Sequence, residues 1–443
     1  MKRLLFIFSF FFLLALNGKA QEVEVLTLED CLRIGIDNNL LLEGKRKEIQ
    51  KNKYGVSENR SKLLPQINAI AGYSNNFDPP VSVTDGSSYG VPYNITETLQ
   101  HSANAGLEMQ MPLFNQTLYT SMSIAKVMEE ISRLSYGKAR EDVILQISKM
   151  YYLGQVTAEQ IMLIKANIAR LKELRDITQA FFDNGMSMEV DLKRVNINLE
   201  NLQVQYDNAQ AMMKQQLNML KYIMDYPAEK EIALTPVNTD SITTVALTGL
   251  SENIYELQLS QSQVQLAERQ KRIITNGYIP SLSLTGSWRY AAYTDKGYHW
   301  FHSGSSNHWF RSYGVGLTLR IPIFDGLDKT YKIRKAMIDI ENSKLAWEDA
   351  RKNLQTQYLN AVNDLMNNQR NFKKQKDNYL LAEDVYAVTS DRYREGIASM
   401  TEVLQDEMQM SEAQNNYISA HYNYRVTNLM LLKLTGQIES LLK

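Results

Sequence analysis

A chain of 443 residues with 44% apolar and 22% charged side chains has an ordinary composition, and its formal net charge of −1 gives no electrostatic reason to bind nucleic acid. Its nine prolines leave residues 113–226 and 323–443 without one, and few glycines interrupt those stretches. Because proline costs about 3 kcal/mol inside a helix, both stretches can be very long helices, which disfavours a compact enzyme built from short elements.

Lys2 and Arg3 precede the mostly apolar run Leu4 to Leu16 and then Gly18-Lys19-Ala20, which are the basic, greasy and small-x-small regions of a secretory signal over residues 1–20. Cleavage after Ala20 leaves 45 basic against 49 acidic side chains, a mature net charge of −4, and again predicts no nucleic-acid partner. The single cysteine, Cys31, can form no intrachain disulfide and follows Glu29-Asp30 well beyond the cleavage site. It reads as a buried small residue, not as a redox centre or lipid anchor. No later window reaches the roughly 18 consecutive apolar residues of a membrane-spanning helix, so a membrane passage must be made by strands.

In chain order, residues 21–224 form a first structural repeat, 225–249 a linker or equatorial patch with Pro227 and Pro236, and 250–443 a second repeat. The first predicts a helix at about 27–62, a hairpin at about 65–114, a long helix over 117–183 and a helix over 188–224. The second predicts a helix at about 250–277, a hairpin at about 280–324, a long helix over 329–395 and a helix over 399–435. Four motif pairs carry the duplication. Leu63-Leu64-Pro65-Gln66-Ile67 answers Tyr278-Ile279-Pro280-Ser281-Leu282, and Met111-Pro112-Leu113-Phe114-Asn115 answers Ile321-Pro322-Ile323-Phe324-Asp325. Phe182-Asp183-Asn184-Gly185 answers Tyr393-Arg394-Glu395-Gly396, and Leu217 to Lys221 answers Leu429 to Lys433.

In the first hairpin Ala103, Ala105, Leu107, Met109, Met111 and Leu113 alternate with Ser102, Asn104, Glu108 and Gln110. The second repeats the pattern, with Tyr313, Val315, Leu317, Leu319, Ile321 and Ile323 against Thr318, Arg320 and several glycines, and with Leu282, Leu284, Trp288 and Tyr290 on the partner strand. Such strands have membrane-spanning length, about 9–11 tilted residues. The loop from Ala291 to Ser312 carries Tyr293, Tyr298, Trp300, Phe301, Trp309 and Phe310, as expected at an interfacial aromatic girdle.

The two long helices, 117–183 and 329–395, are each about 100 Å at roughly 1.5 Å per residue. In the second, Tyr358, Leu365, Phe372, Tyr379, Tyr386 and Tyr393 recur every seven residues, the spacing of a coiled-coil packing seam. Four strands per chain cannot close a barrel, and an open edge in hydrocarbon leaves backbone groups unpaired, so the chain must pool strands with copies of itself. Two copies give eight strands and a filled interior, whereas three give twelve with room for a channel.

The duplicated helix–hairpin–helix plan, the prolines at strand ends, and Tyr393-x-x-Gly396 followed by Thr401-x-Val403-Leu404 resemble the TolC family of outer membrane efflux proteins over essentially the whole mature chain. The resemblance implies a mainly α fold with a β-barrel part: a homotrimeric, twelve-stranded transmembrane barrel in outer membrane lipid, continued by a long periplasmic α-helical barrel around an aqueous duct. It further implies docking to a periplasmic membrane-fusion adaptor protein and an inner-membrane pump, for efflux or secretion. Adaptor contact falls at the two helix turns, on Gly185, Met186, Gly396 and Ile397.

By the same resemblance, acidic residues six and nine positions beyond the second turn glycine ring a closed tip. Here these are Glu402 and, in place of the second acid, Gln405 with Asp406 beside it. The family's latch on the first-half acid, here Asp191, uses a tyrosine at Tyr393 and an arginine two residues past the glycine. That arginine is Ala398 here, which leaves Tyr393 alone or a borrowed Arg392 or Arg394.

No nucleophile motif, nucleotide loop or cofactor site is present, so the chain does not read as an enzyme. His299, His302 and His308 cluster in the aromatic loop with no acidic or cysteine ligand between them, and an outward-facing loop explains them better than a metal site does. A passive porin-like channel and a periplasmic coiled-coil scaffold are the alternatives. A pore alone has no use for 100 Å of tube, and a scaffold would be released with periplasmic contents.

Overall fold

The computed structural model describes residues 23–79, 81–85, 87–97, 99–236, 249–294 and 309–442. The leader expected over 1–20, residues 237–248 of the inter-repeat segment, and Tyr298, Trp300, Phe301, His299, His302 and His308 lie outside them. The strands are β1 (Glu24–Leu26), β2 (Gln66–Asn75), β3 (Val81–Asp85), β4 (Tyr93–Glu97), β5 (His101–Phe114), β6 (Ile232–Leu234), β7 (Ser281–Thr294) and β8 (Trp309–Arg320). The helices are α1 (Leu28–Asn38), α2 (Leu40–Ser61), α3 (Gln116–Asp183), α4 (Glu189–Met224), α5 (Tyr255–Asn276), α6 (Asp328–Arg394) and α7 (Met400–Leu434). The chain divides into two units that each draw on both halves of the sequence: Met1–Lys47, Leu134–Leu259 and Glu348–Lys443 in one, Glu48–Arg133 and Ser260–Trp347 in the other.

In the first unit the helix expected over 27–62 is two helices. Thr27 starts α1 with a capping box, its hydroxyl accepting from the Asp30 N–H at 3.2 Å while the Asp30 carboxylate accepts from the Thr27 N–H at 3.1 Å. Asn39 then breaks the run: its side-chain oxygen accepts the Leu42 N–H at 3.1 Å, and its amide donates to the Ile223 carbonyl at 2.7 Å. An asparagine that caps the next helix while tied to α4 gives the backbone a better partner than a continuous helix would. The inter-repeat segment, read from the sequence as a linker, supplies β6, which pairs in parallel with β1 in the register Val25 to Ala233.

Among the described residues the two largest apolar clusters of this unit are distinct. One gathers Cys31, Leu32, Leu42, Ile144, Tyr151 and Met224. The other lies among α3, α4, α6 and α7, with Leu171, Val195, Leu202, Tyr386, Tyr393 and Val403 buried together. Each fully buried Leu, Ile, Val or Met among them contributes roughly 1.5–3 kcal/mol. The seven-residue aromatic series of α6 is packing: Phe372 and Tyr379 lie against Val156, Tyr417 and Ile418.

Polar side chains cross the same interior in matched pairs. Asn167 donates to Gln414 at 2.7 Å, and Arg170 pairs with Glu383 at 3.0 Å. The Arg425 guanidinium donates to His421 Nε2 at 2.9 Å, which makes that nitrogen the acceptor and turns Nδ1–H toward Glu159 at 3.3 Å. Because an unpaired buried polar group is costly, such pairs fix which residues of the helices face each other.

In the second unit β2, β5, β7 and β8 form one antiparallel sheet in that order, and β3 and β4 make a separate hairpin between β2 and β5. The alternation sorts the sheet into two faces. Asn68, Asn104, Glu108, Gln110, Thr285 and Ser287 share one, through the registers Asn68 to Glu108 to Ser287 and Gln110 to Thr285. Leu107, Met109, Trp288, Tyr313, Val315 and Leu317 share the other, and Tyr313 and Val315 are 78% and 80% exposed. Two expected strand residues, Ile321 and Ile323, lie past the end of β8 at Arg320, before and after Pro322, which has no N–H to give a ladder. Leu113 falls in a register shift between Pro112 and Phe114.

Candidate functional site

The two helix turns of the first unit are alike in backbone detail. After α3, Gly185 has φ +73°, its N–H reaches the Phe182 carbonyl at 2.9 Å, and the Met186 N–H reaches the Phe181 carbonyl at 2.7 Å. After α6, Gly396 has φ +76°, its N–H reaches Tyr393 at 2.9 Å, and the Ile397 N–H reaches Arg392 at 2.8 Å. Both are Schellman closures, and the positive φ is what requires glycine, since a Cβ at either position meets nothing within 4 Å. Each turn then presents an apolar side chain to solvent, Met186 at 69% and Ile397 at 63% exposure.

The helices that leave the turns begin differently. Ser399 caps α7 with a complete capping box: its N–H and hydroxyl donate to the Glu402 carboxylate at 2.7 and 3.0 Å, and its hydroxyl accepts the Glu402 N–H at 3.3 Å. The backbone and side-chain bonds from Ser399 hold the Glu402 carboxyl below its usual range. Met188 caps α4 with no side-chain bond, so Asp191, which occupies the matching third helical position, has no such partner. Asp191 instead lies 3.4 Å from Arg194, whose guanidinium also reaches the Thr401 hydroxyl of α7 at 3.3 Å.

Tyr393 is buried against Phe181, ring centroids 5.6 Å apart, and its hydroxyl donates to Thr178 at 3.3 Å. Burial, and after it the nearby Asp191 charge, push that phenol up. Thus Tyr393 binds Thr178, Asp191 takes Arg194, and Arg394 pairs with Glu173 at 2.6 Å. Asp406 lies half-buried on α7, one turn beyond Glu402. Thr178 and Arg194 did not stand out in the sequence, and Thr401 did so only as part of the Thr401-x-Val403-Leu404 motif, not as a partner of Arg194. Only the Ser399-x-x-Glu402 spacing was a local signal that could have been used.

The sheet offers the second candidate surface. Its polar face carries Asn68, Gln110, Thr285 and Ser287, opened by Gly314 and Gly316 on β8. Arg289 of β7 donates to Glu108 of β5 across this face. β2 and β8 are its two edges, each paired on one side only. Among the described residues no helix is long and apolar enough to cross a membrane, and no group of histidine, cysteine or acidic side chains is placed to hold a metal.

The family described as Outer membrane efflux protein matches residues 35–224 and again 248–437. The outer membrane protein TolC of Vibrio cholerae is 21% identical over 403 residues, covering 86% of this chain and 84% of that one. A probable efflux pump outer membrane protein, TtgC of Pseudomonas putida, is 23% identical over 381 residues, covering 81% of this chain and 75% of its own. A crystal structure of the transmembrane channel CusC superposes with a TM-score of 0.77 at 16% identity and 95% coverage of both chains. With the double family match over both hairpins and both pairs of long helices, this chain belongs to the outer membrane efflux protein family and is an outer-membrane channel for efflux or secretion.

Proposed function

We propose that three copies close into one twelve-stranded barrel, with β8 of each pairing to β2 of the next and the Asn, Gln, Ser and Thr face lining an aqueous duct. The observation that carries this is the two-faced sheet with one-sided edges. Its apolar face suits outer membrane lipid, and in hydrocarbon each unpaired edge group would cost several kcal/mol. Native mass spectrometry of the detergent-purified protein is expected to give a trimer; a stable monomer with full β content would overturn this.

In the same reading the helix turns are the end that docks a periplasmic adaptor, with an inner-membrane pump beyond it. Gly185 and Gly396 set the turns, and Met186 and Ile397 supply exposed apolar anchors. Glu402, Asp406 and Asp191 then supply carboxylates near a gate, and Tyr393 ties α6 to α3 behind it. A passive porin-like channel leaves the 68 residues of α3 and 67 of α6 without a task.

A further inference from the structure

The polar face of the sheet is almost free of charge. Among its described residues the charged ones are Glu108, Arg289 and Arg320, set among Asn68, Asn104, Gln110, Thr285 and Ser287. Arg320 ends β8, six residues along the strand from Gly314, the register neighbour of Ser287. That is about 20 Å at roughly 3.3 Å per residue, well beyond the screening length of physiological salt. Glu108 and Arg289 are therefore the charges that matter at mid-sheet.

They are diagonal neighbours: Glu108 faces Ser287 in the register, and Arg289 faces Gly106. Gly106 brings no side chain to that position, and the guanidinium reaches across to the Glu108 carboxylate. The two side chains are 43% and 46% exposed, so the pair stands open to the water on that face. An ion pair this exposed adds little stability. Its larger effect is on the field: a lone carboxylate repeated around a closed barrel would make a negative ring, focused by a low-dielectric wall.

We propose that Arg289 is a specificity-determining residue of the duct, cancelling Glu108 so that the barrel passes anionic and cationic solutes alike and leaves charge selection to other parts of the channel. This rests on the polar face being the lumen, and the test separates the two ideas. Ser287→Cys places a thiol directly opposite Glu108, and the one native cysteine, Cys31, is fully buried with its thiol pushed up to about 12, so it stays silent. Cationic and anionic methanethiosulfonates are applied from the aqueous side of the purified channel in liposomes, and the ratio of their labelling rates is read.

At low ionic strength, about 10 mM salt, adding Arg289→Gln is expected to raise the cation-to-anion ratio roughly fivefold, the effect of one uncompensated charge within about 7 Å in water acting oppositely on the two reagents. Adding Glu108→Gln lowers it by a similar factor, and the double variant returns it close to the parent ratio. Labelling with a ratio unmoved by either single change overturns the role of Arg289. No labelling by either reagent overturns the lumen reading itself. If Arg289→Gln fails to assemble, the fall in ratio with Glu108→Gln alone decides the question.

Discussion

Glu402 and Asp191 stand at the same position of their helices, the third residue after the cap, yet they are held differently. Glu402 is bound by Ser399, whereas Asp191 has only Arg194 and a methionine cap. Ser399→Ala is expected to cost about 1 kcal/mol by removing a cap, measured as a lower melting temperature of the detergent-solubilised protein. Glu402→Gln is the cleaner probe of the gate, because glutamine can keep the capping-box bond while losing the charge. It should weaken cation selectivity and divalent-cation block in planar bilayers with assembly intact. If block changes only on replacing Asp191 or Asp406, the acidic ring lies there.

A second residue-scale effect concerns Glu141, 5% exposed on α3, whose carboxyl is pushed up to about 7, by burial first and against the opposing charge of Lys433. Below about pH 4.5 both folded and unfolded states hold the proton, and the group costs nothing. Between about 4.5 and 7 the unfolded chain releases it first, so stability falls as pH rises through that window and then levels off. Glu141→Gln should therefore stabilise by about 3 kcal/mol at pH 8 and by almost nothing at pH 4. A gain of equal size at both pH values would show that packing, not ionisation, is responsible.

At the scale of elements, legibility followed locality. Absent prolines and the two glycine turns are local signals, and α3 and α6 run without a break for 68 and 67 residues up to them. The two faces of the sheet follow from alternation, a period that survives in any sequence with one apolar side. What stayed hidden depends on partners far away in the chain. Asn39 splits α1 from α2 because Ile223, 184 residues on, accepts its amide. β6 exists because β1 lies beside it, three residues against three. Arg194 reaches Thr401, and Tyr393 reaches Thr178, across separations of 207 and 215 residues. A hydroxyl or guanidinium on a helix face carries no mark of which distant helix will meet it. The β3–β4 hairpin was overlooked for another reason: its five-residue strands alternate too briefly to register as a period.

At the scale of the whole molecule, the proposed adaptor would dock at one end of the long helices. Two turns of matching geometry each expose one large apolar side chain beside a glycine, and a partner helix hairpin would gain by covering Met186 and Ile397. The loop after β2 exposes Phe77 to a greater degree, 88%, so apolar exposure alone does not choose between them. In the proposed reading the strands separate them: a sheet that meets lipid on its apolar side puts Phe77 in a loop that joins membrane strands, whereas Met186 and Ile397 lie in turns that join helices. Photo-crosslinkers placed singly at Met186, Ile397 and Phe77 in cells that express the channel with its adaptor test this. Capture of the adaptor is expected from Met186 and Ile397. Capture from Phe77 alone would place the adaptor at the strand loops and reverse the proposed orientation. Loss of capture from Met186 and Ile397 in trimers that still assemble would remove the turns as the docking surface.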